Sequence, residues 1–153
     1  MTQLSFRRAR GDESDLLNEM TLAGLRHWGH HESHPALYNS LADDLPGAED
    51  IASNPVNVLE RDGEVIAFYE MRDRGDHVEL LRMFQKVELI GQGYGRMMWD
   101  HCVQEARQMG PGRMRIISDP EAVGFYETMG AALERAQEVA PGFSLGLFWY
   151  DLG

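Results

Sequence analysis

Apolar residues recur with period two in some stretches of the chain and with helical spacing in others, and the changes mark its elements. Leu4 and Phe6 alternate with Ser5 and Arg7, which predicts a strand over Leu4–Arg8. A helix is expected after Gly11-Asp12, with Asp12 as N-cap and Leu16, Leu17, Met20 and Ala23 on one face. Residues 27–35 read as a loop because Gly29 and Pro35 interrupt them. A short second helix carries Leu37, Leu41 and Leu45, and Pro46-Gly47 ends it. The middle of the chain reads as strands over Val56–Arg61, Glu64–Met71 and His77–Phe84, with turns at Asp62-Gly63 and Gly75. Further on, Met98, Trp99, Cys102, Val103, Ala106 and Met109 make a helical apolar stripe that Gly110-Pro111-Gly112 stops. Arg113–Ser118 reads as a strand. Asp119-Pro120 has the chemistry of a helix start, and Gly130 that of its close after Met129. Ala132–Val139 and Ser144–Leu152 complete a last hairpin about Pro141-Gly142.

The order β-α-α-β-β-β-α-β-α-β-β predicts an α/β (α+β) fold. It is a twisted mixed sheet of about seven strands with helices on both faces, in a single domain over 1–153. Leu145–Leu152 is apolar on both sides, which suits either a central strand or a face of a homodimer. The net charge of −11 disfavours binding to a nucleic-acid backbone and suits an amine or other cationic substrate. No apolar run reaches the ~18 residues that a membrane span needs. The first residues lack the apolar core of a secretion signal, and a single cysteine suggests a reducing, cytoplasmic setting.

The chemistry concentrates in residues 87–98, where Gly91, Gly93 and Gly95 alternate just ahead of the helical stripe. Such a loop lets backbone N–H groups converge without Cβ obstruction, and the helix N-terminus adds partial positive charge. Phosphate or pyrophosphate is the matching ligand; a plain glycine-rich turn is the alternative. The spacing is not the dinucleotide fingerprint, and the chain has no Gly-Lys pair for a P-loop. His27, His30, His31 and His34 raise the question of a metal, but Gly29 and Pro35 break the segment and no cysteine lies near. Surface or substrate-lining histidines are the stronger reading. Cys102, on the apolar side of its helix, reads as a buried structural thiol.

Ile90-Gly91-Gln92-Gly93-Tyr94-Gly95 resembles the acyl-CoA pyrophosphate loop of the GCN5-related N-acetyltransferases, [QR]-x-x-G-x-[GA], with Ile90 where Gln or Arg is usual. Residues 114–131 resemble the same family's strand followed by N-x-x-A-x-x-F-Y-x-x-x-G-[FA]. Asp119 replaces Asn there, and Ala122, Phe125, Tyr126, Gly130 and Ala131 are in register. The order of elements agrees along the whole chain. The resemblance implies acetyl transfer from acetyl-CoA, as co-substrate and without a metal, to an amine-bearing small molecule or peptide. It implies that the backbone of Met83, Phe84 and Gln85 pairs with the pantetheine arm. Gly91, Gln92, Gly93, Tyr94, Gly95 and Arg96 would hold the pyrophosphate. Asp119, Ala122 and Phe125 join the cofactor-binding set, Phe125 also as a core residue.

Tyr126 would then be the general acid. A phenol with an ordinary pKa of about 10 stays protonated at neutral pH and can donate to a departing thiolate. Glu79, on the third strand of the meander, is the expected base, because the attacking amine must first lose a proton. Flanking Val78, Leu80 and Leu81 would desolvate it. Its other reading is a solvent-facing or ion-paired residue, with Arg82 as a nearby partner, and Glu88 is a weaker candidate base. A domain that binds acyl-CoA without catalysis, as a sensor or interaction module, is the alternative function.

Overall fold

The computed structural model describes residues 1–153. One sheet contains β1 (Leu4–Arg8), β2 (Val56–Arg61), β3 (Glu64–Asp73), β4 (Val78–Gln85), β5 (Arg113–Ser118), β6 (Ala132–Ala140) and β7 (Phe143–Asp151). Their order across the sheet is β1-β2-β3-β4-β5-β7-β6. Neighbours are antiparallel except β4 and β5, which are parallel. The helices are α1 (Ser14–His27), α2 (His30–Ser33), α3 (Pro35–Asp43), α4 (Ala48–Ser53), α5 (Tyr94–Met109) and α6 (Val123–Thr128). This is the mixed sheet that the pattern predicts. Leu145–Leu152 falls almost entirely within β7, an interior strand between β5 and β6.

Two apolar clusters, one on each face, follow from the alternation along β3. Ala67, Tyr69 and Met71 pack with Met98, Trp99 and Cys102 of α5. Phe68 points the other way and packs with Val56, Val58, Leu17 and Met20, the last two from α1. The β2–β3 hairpin turns on Asp62 and Gly63, both at positive φ (53° and 84°), as a tight two-residue connection requires.

The feature that positions the site is a split in the sheet. β4 and β5 pair only through Val78–Met114, Glu79–Arg115 and Leu80–Ile116. Beyond Leu80, β4 stays with β3 while β5 stays with β7. A register shift opposite β3 adds to the divergence: Met71 faces Leu80 and Glu70 faces Arg82, so Leu81 is an extra residue on β4. A buried ion pair fixes α1 over this region. Arg82 Nε donates to Glu70 Oε1 at 2.6 Å, and Arg82 Nη1 donates to Asn18 Oδ1 and Thr21 Oγ1 of α1 at 3.1 and 3.0 Å. Gly24 lets α1 come close, because a Cβ there would stand 2.9 Å from Phe84 Cδ1.

Several local expectations change. Asp12 does not cap the first helix. The chain enters through a 3-10 turn over Gly11–Glu13, where Glu13 Oε1 accepts from the Arg10 N–H at 2.8 Å and its carboxylate pairs with Arg7. The buried side of α1 is therefore Leu17, Met20, Thr21, Gly24 and Leu25, while Leu16 is exposed. Residues 27–35 are not simply a loop: α1 runs to His27, Gly29 reverses the chain at φ 78°, and α2 follows. α3 buries no residue fully, because its leucine stripe lies at the periphery. The short helix α4 has no counterpart in the predicted order. It brings Ile51 into the α1-side core.

Candidate active site

A cavity of about 560 Å³ occupies the split between β4 and β5. Met83, Phe84 and Gln85 of β4 line one wall, and Asp119, Ala122, Phe125 and Tyr126 line the other. Gly24 and Trp28 reach it from the α1 side, Met98 and Gly95 from the α5 side. The cavity thus draws its lining from both faces of the sheet, and its α5-side and α1-side ends are its two mouths.

The α5-side mouth is made of backbone. Gly91 and Gly93 have φ of 88° and 91°, and no other part of the chain lies within 4 Å of where their Cβ atoms would be. Gly93 caps α5, whose first hydrogen bond runs from the Met97 N–H to Gly93 O at 3.3 Å. The amides of Tyr94, Gly95 and Arg96 therefore have no partner within the helix. With the helix dipole behind them, they suit an anion. Gly91, Gly93, Gly95 and Arg96 line the cavity, whereas Gln92 and Tyr94 do not. The Gln92 N–H is used on Leu89 O at 3.3 Å, and the Tyr94 hydroxyl accepts from Arg61 Nη1 at 3.2 Å. Ile90 also lines this mouth, as an apolar side chain. Gly95 gives room to α6, since a Cβ there would stand 3.4 Å from Phe125 Cε1.

Tyr126 lies at the centre. It is 5% exposed and surrounded by the rings of Phe125, Phe148 and Trp99, with centroids at 5.2, 5.8 and 5.9 Å. Its hydroxyl has no hydrogen-bond partner in the chain. Burial raises its pKa, and the charges of Cys102 and Asp119 act in the same sense, so it is protonated at neutral pH. Cys102 itself is fully buried against Met71, and burial pushes its thiol up as well.

The α1-side mouth is made of side chains. Asp119 has extended backbone and starts the turn to α6, but its carboxylate caps nothing and accepts no hydrogen bond from the chain. Burial pushes it up to about 6; Glu121 adds to the shift and His30 opposes it. Glu121 lines the same mouth and accepts from His30 Nε2 at 2.9 Å, across 91 residues of sequence. The His30 ring packs on Phe143 at 4.7 Å, and His34 Nε2 donates to Pro141 O at 2.7 Å. The histidines thus dock α2 onto the β6–β7 turn and the turn after β5. His27 meets Trp28 edge-on and His31 lies 5.9 Å from Tyr38, whereas His30 and His34 share Phe143. No three of the chain's His, Cys, Asp and Glu side chains are placed to hold a metal ion.

Glu79 is not in the cavity wall. The alternation of β4 buries Val78 and Leu80 and turns Glu79 away from them. There it accepts from Arg74 Nη2 at 2.9 Å and Nε at 3.3 Å, while Arg82 is taken by Glu70. Glu88 is exposed ahead of the glycine loop. Trp28 lies outside every motif, Glu121 is an unspecified position within the Asp119–Ala131 segment and His30 is one of the four histidines; no local signal links the three, because they come together only when α2 docks.

The model of the acetyltransferase (GNAT) domain matches residues 17–142. Among curated proteins none matches the chain. Solved structures share the fold. PaiA N-acetyltransferase from Thermoplasma acidophilum, in complex with coenzyme A, is 14% identical, with 97% of this chain and 99% of that one covered at a TM-score of 0.66. A GCN5-related N-acetyltransferase from Rhodopseudomonas palustris is 13% identical, with 96% and 94% covered at 0.79. YjaB from Escherichia coli is 22% identical, with 97% of each chain covered at 0.71. No helix is long and apolar enough to cross a membrane. With its split sheet, its glycine loop and a family match over most of its length, the chain belongs to the GNAT family of acetyltransferases.

Proposed function

We propose that residues 1–153 act as one acetyltransferase domain that moves an acetyl group from acetyl-CoA to an amine by direct attack. One observation carries this reading. A single cavity is lined by the glycine loop and the start of α5 at one end, by Gly24, Trp28 and Glu121 from the other face of the sheet, and by the buried Tyr126, whose hydroxyl has no partner in the chain. The amides and Arg96 at the α5-side mouth suit the pyrophosphate of acetyl-CoA, and nothing in the chain obstructs Gly91 or Gly93. The exposed backbone of Met83–Gln85, beyond the end of β4–β5 pairing, suits the amides of the pantetheine arm as an added strand would. Asp119, Ala122 and Phe125 complete the wall beside it. The thioester then lies near Tyr126.

The reaction places two demands on the chain. The free amine attacks the thioester carbon, the carbon–sulfur bond breaks, and the sulfur leaves as thiolate. Tyr126 gives its proton to that sulfur and recovers one from solvent. The proton lost by the amine goes to Glu79, through water, because Glu79 stands four residues before Met83 and outside the wall. The position of Glu79 on β4 and the family resemblance support this assignment.

Thiol release from acetyl-CoA with a panel of amines, measured for wild type, Tyr126→Phe and Glu79→Gln, tests the reading. Turnover that depends on Tyr126 is the expected result. Tight CoA binding by calorimetry with no turnover on any amine would leave the non-catalytic acyl-CoA binder as the better account.

A further inference from the structure

The two mouths of the cavity are opposite in charge. Its only basic wall residue is Arg96, at the glycine-loop end; its only acidic ones are Asp119 and Glu121, on the α1 side beside Trp28. We propose that the α1-side mouth selects an acceptor with a second positive charge, a short alkyl diamine, held by Glu121 and Asp119. The inference rests on the acetyltransferase reading above and names the substrate class of that site.

Glu121 is fixed before any ligand arrives. His30 donates to it, and Phe143 and the His34–Pro141 contact brace the segment that carries His30. The two side chains are only 16% and 14% exposed, so little ordering remains to be done on binding. Asp119 offers a carboxylate that no donor in the chain satisfies, and such a group is costly unless a ligand pairs with it. Independently, Tyr126, 5% exposed, presents an unpartnered hydroxyl to the same cavity. Trp28 is half exposed and gives a methylene chain or a cation an aromatic face.

The chemistry explains why the charge must be a second one. The attacking nitrogen reacts as the free amine. A carboxylate that holds the acceptor through its charge must therefore hold a different nitrogen. A diamine satisfies both demands: one ammonium sits between Glu121 and Asp119 while the other nitrogen, deprotonated, faces the thioester.

Three acceptors of matched length test this: diaminobutane, butylamine, which lacks the second nitrogen, and aminobutanoate, which carries a carboxylate instead. Wild type should use diaminobutane with a kcat/KM about 10- to 100-fold above butylamine, and aminobutanoate least of all. Glu121→Gln and Asp119→Asn should each lower the diamine-to-monoamine ratio by about tenfold; Glu121→Gln, which lies outside the wall assigned to the pantetheine arm, should hold CoA affinity by calorimetry within about twofold. Equal use of the three acceptors, or parallel losses on all of them in both variants, would overturn the inference. If no amine is acetylated, the function proposed above fails, and diamine binding to the CoA complex decides this inference separately. A calorimetric preference for diaminobutane over butylamine that Glu121→Gln abolishes supports it; no preference overturns it.

Discussion

The two mouths of the cavity solve the same problem, holding a charged ligand, by different means. On the α5 side the ligand-facing groups are mostly amides of consecutive residues, Tyr94 to Arg96, beside Gly91 and Gly93, and one helix start aims them. On the α1 side they are side chains from α1, α2 and the turn after β5, assembled by His30–Glu121 and held down by Arg82 beneath α1. The first design depends on local backbone geometry and should fail through φ and Cβ. The second depends on tertiary docking and should fail through ion pairs and pH.

The largest effect should come from the residue between them. Tyr126→Phe is expected to lower kcat by about 10²- to 10³-fold in steady-state kinetics, with CoA affinity unchanged in calorimetry. Because its hydroxyl has no partner to lose, the thermal midpoint should not fall. Glu70→Gln should come next. It leaves Arg82 buried with half its partner gone and should cost about 3 kcal/mol in urea unfolding. In the folded variant α1 loosens over Phe84, so the acceptor KM should rise while the CoA affinity stays near wild type. A matching loss of CoA affinity would show that the two mouths are not independent.

Gly93→Ala probes the other mouth. Its φ of 91° should cost about 1–2 kcal/mol in stability and re-aim the first amides of α5. The CoA dissociation constant should rise about tenfold, with the ranking of acceptors preserved. The smallest effect is on pH. Burial holds Asp119 at about 6, above its ordinary value, so the folded state favours the protonated form. Stability from this group is therefore full below its unfolded pKa and is lost as pH rises through about 6. Asp119→Asn should exceed wild type in stability by about 1–2 kcal/mol at neutral pH and lose that margin in acid. The diamine KM of wild type, corrected for the charge state of the diamine, should rise a few-fold as pH falls through about 6. That rise should be much reduced in Asp119→Asn.

The same contrast explains what could be read before folding. The alternating glycines and the Asp119–Ala131 segment are local, so the sequence pointed to the α5-side mouth, Tyr126 and the wall of β4. The meander and the α5 stripe were legible for the same reason: period and turn chemistry act within a few residues. Glu79 was assigned by its neighbours along the strand, and strand alternation faces those neighbours away from it. Gln92 and Tyr94 lie inside the motif but off the cavity wall, Gln92 exposed and Tyr94 packed against the α5-side core, because a glycine loop aims amides and not the side chains between them. Glu121 and Trp28 left no trace, and His30 stood out only as one of four histidines read as surface or substrate-lining, since nothing in residues 28–30 announces a partner near residue 121. Leu16 and Asp12 were misplaced because the Glu13–Arg7 pair opens α1 with a 3-10 turn and so resets its buried face.

The central claim is that one cavity brings acetyl-CoA from the backbone mouth to an amine entering at the acidic mouth. Thiol release from acetyl-CoA by the wild-type protein with diaminobutane, the product identified by mass spectrometry, tests it most directly. The account predicts one CoA released for each monoacetylated diamine formed. CoA that binds tightly in calorimetry, with no release above the amine-free blank for any amine, would contradict it.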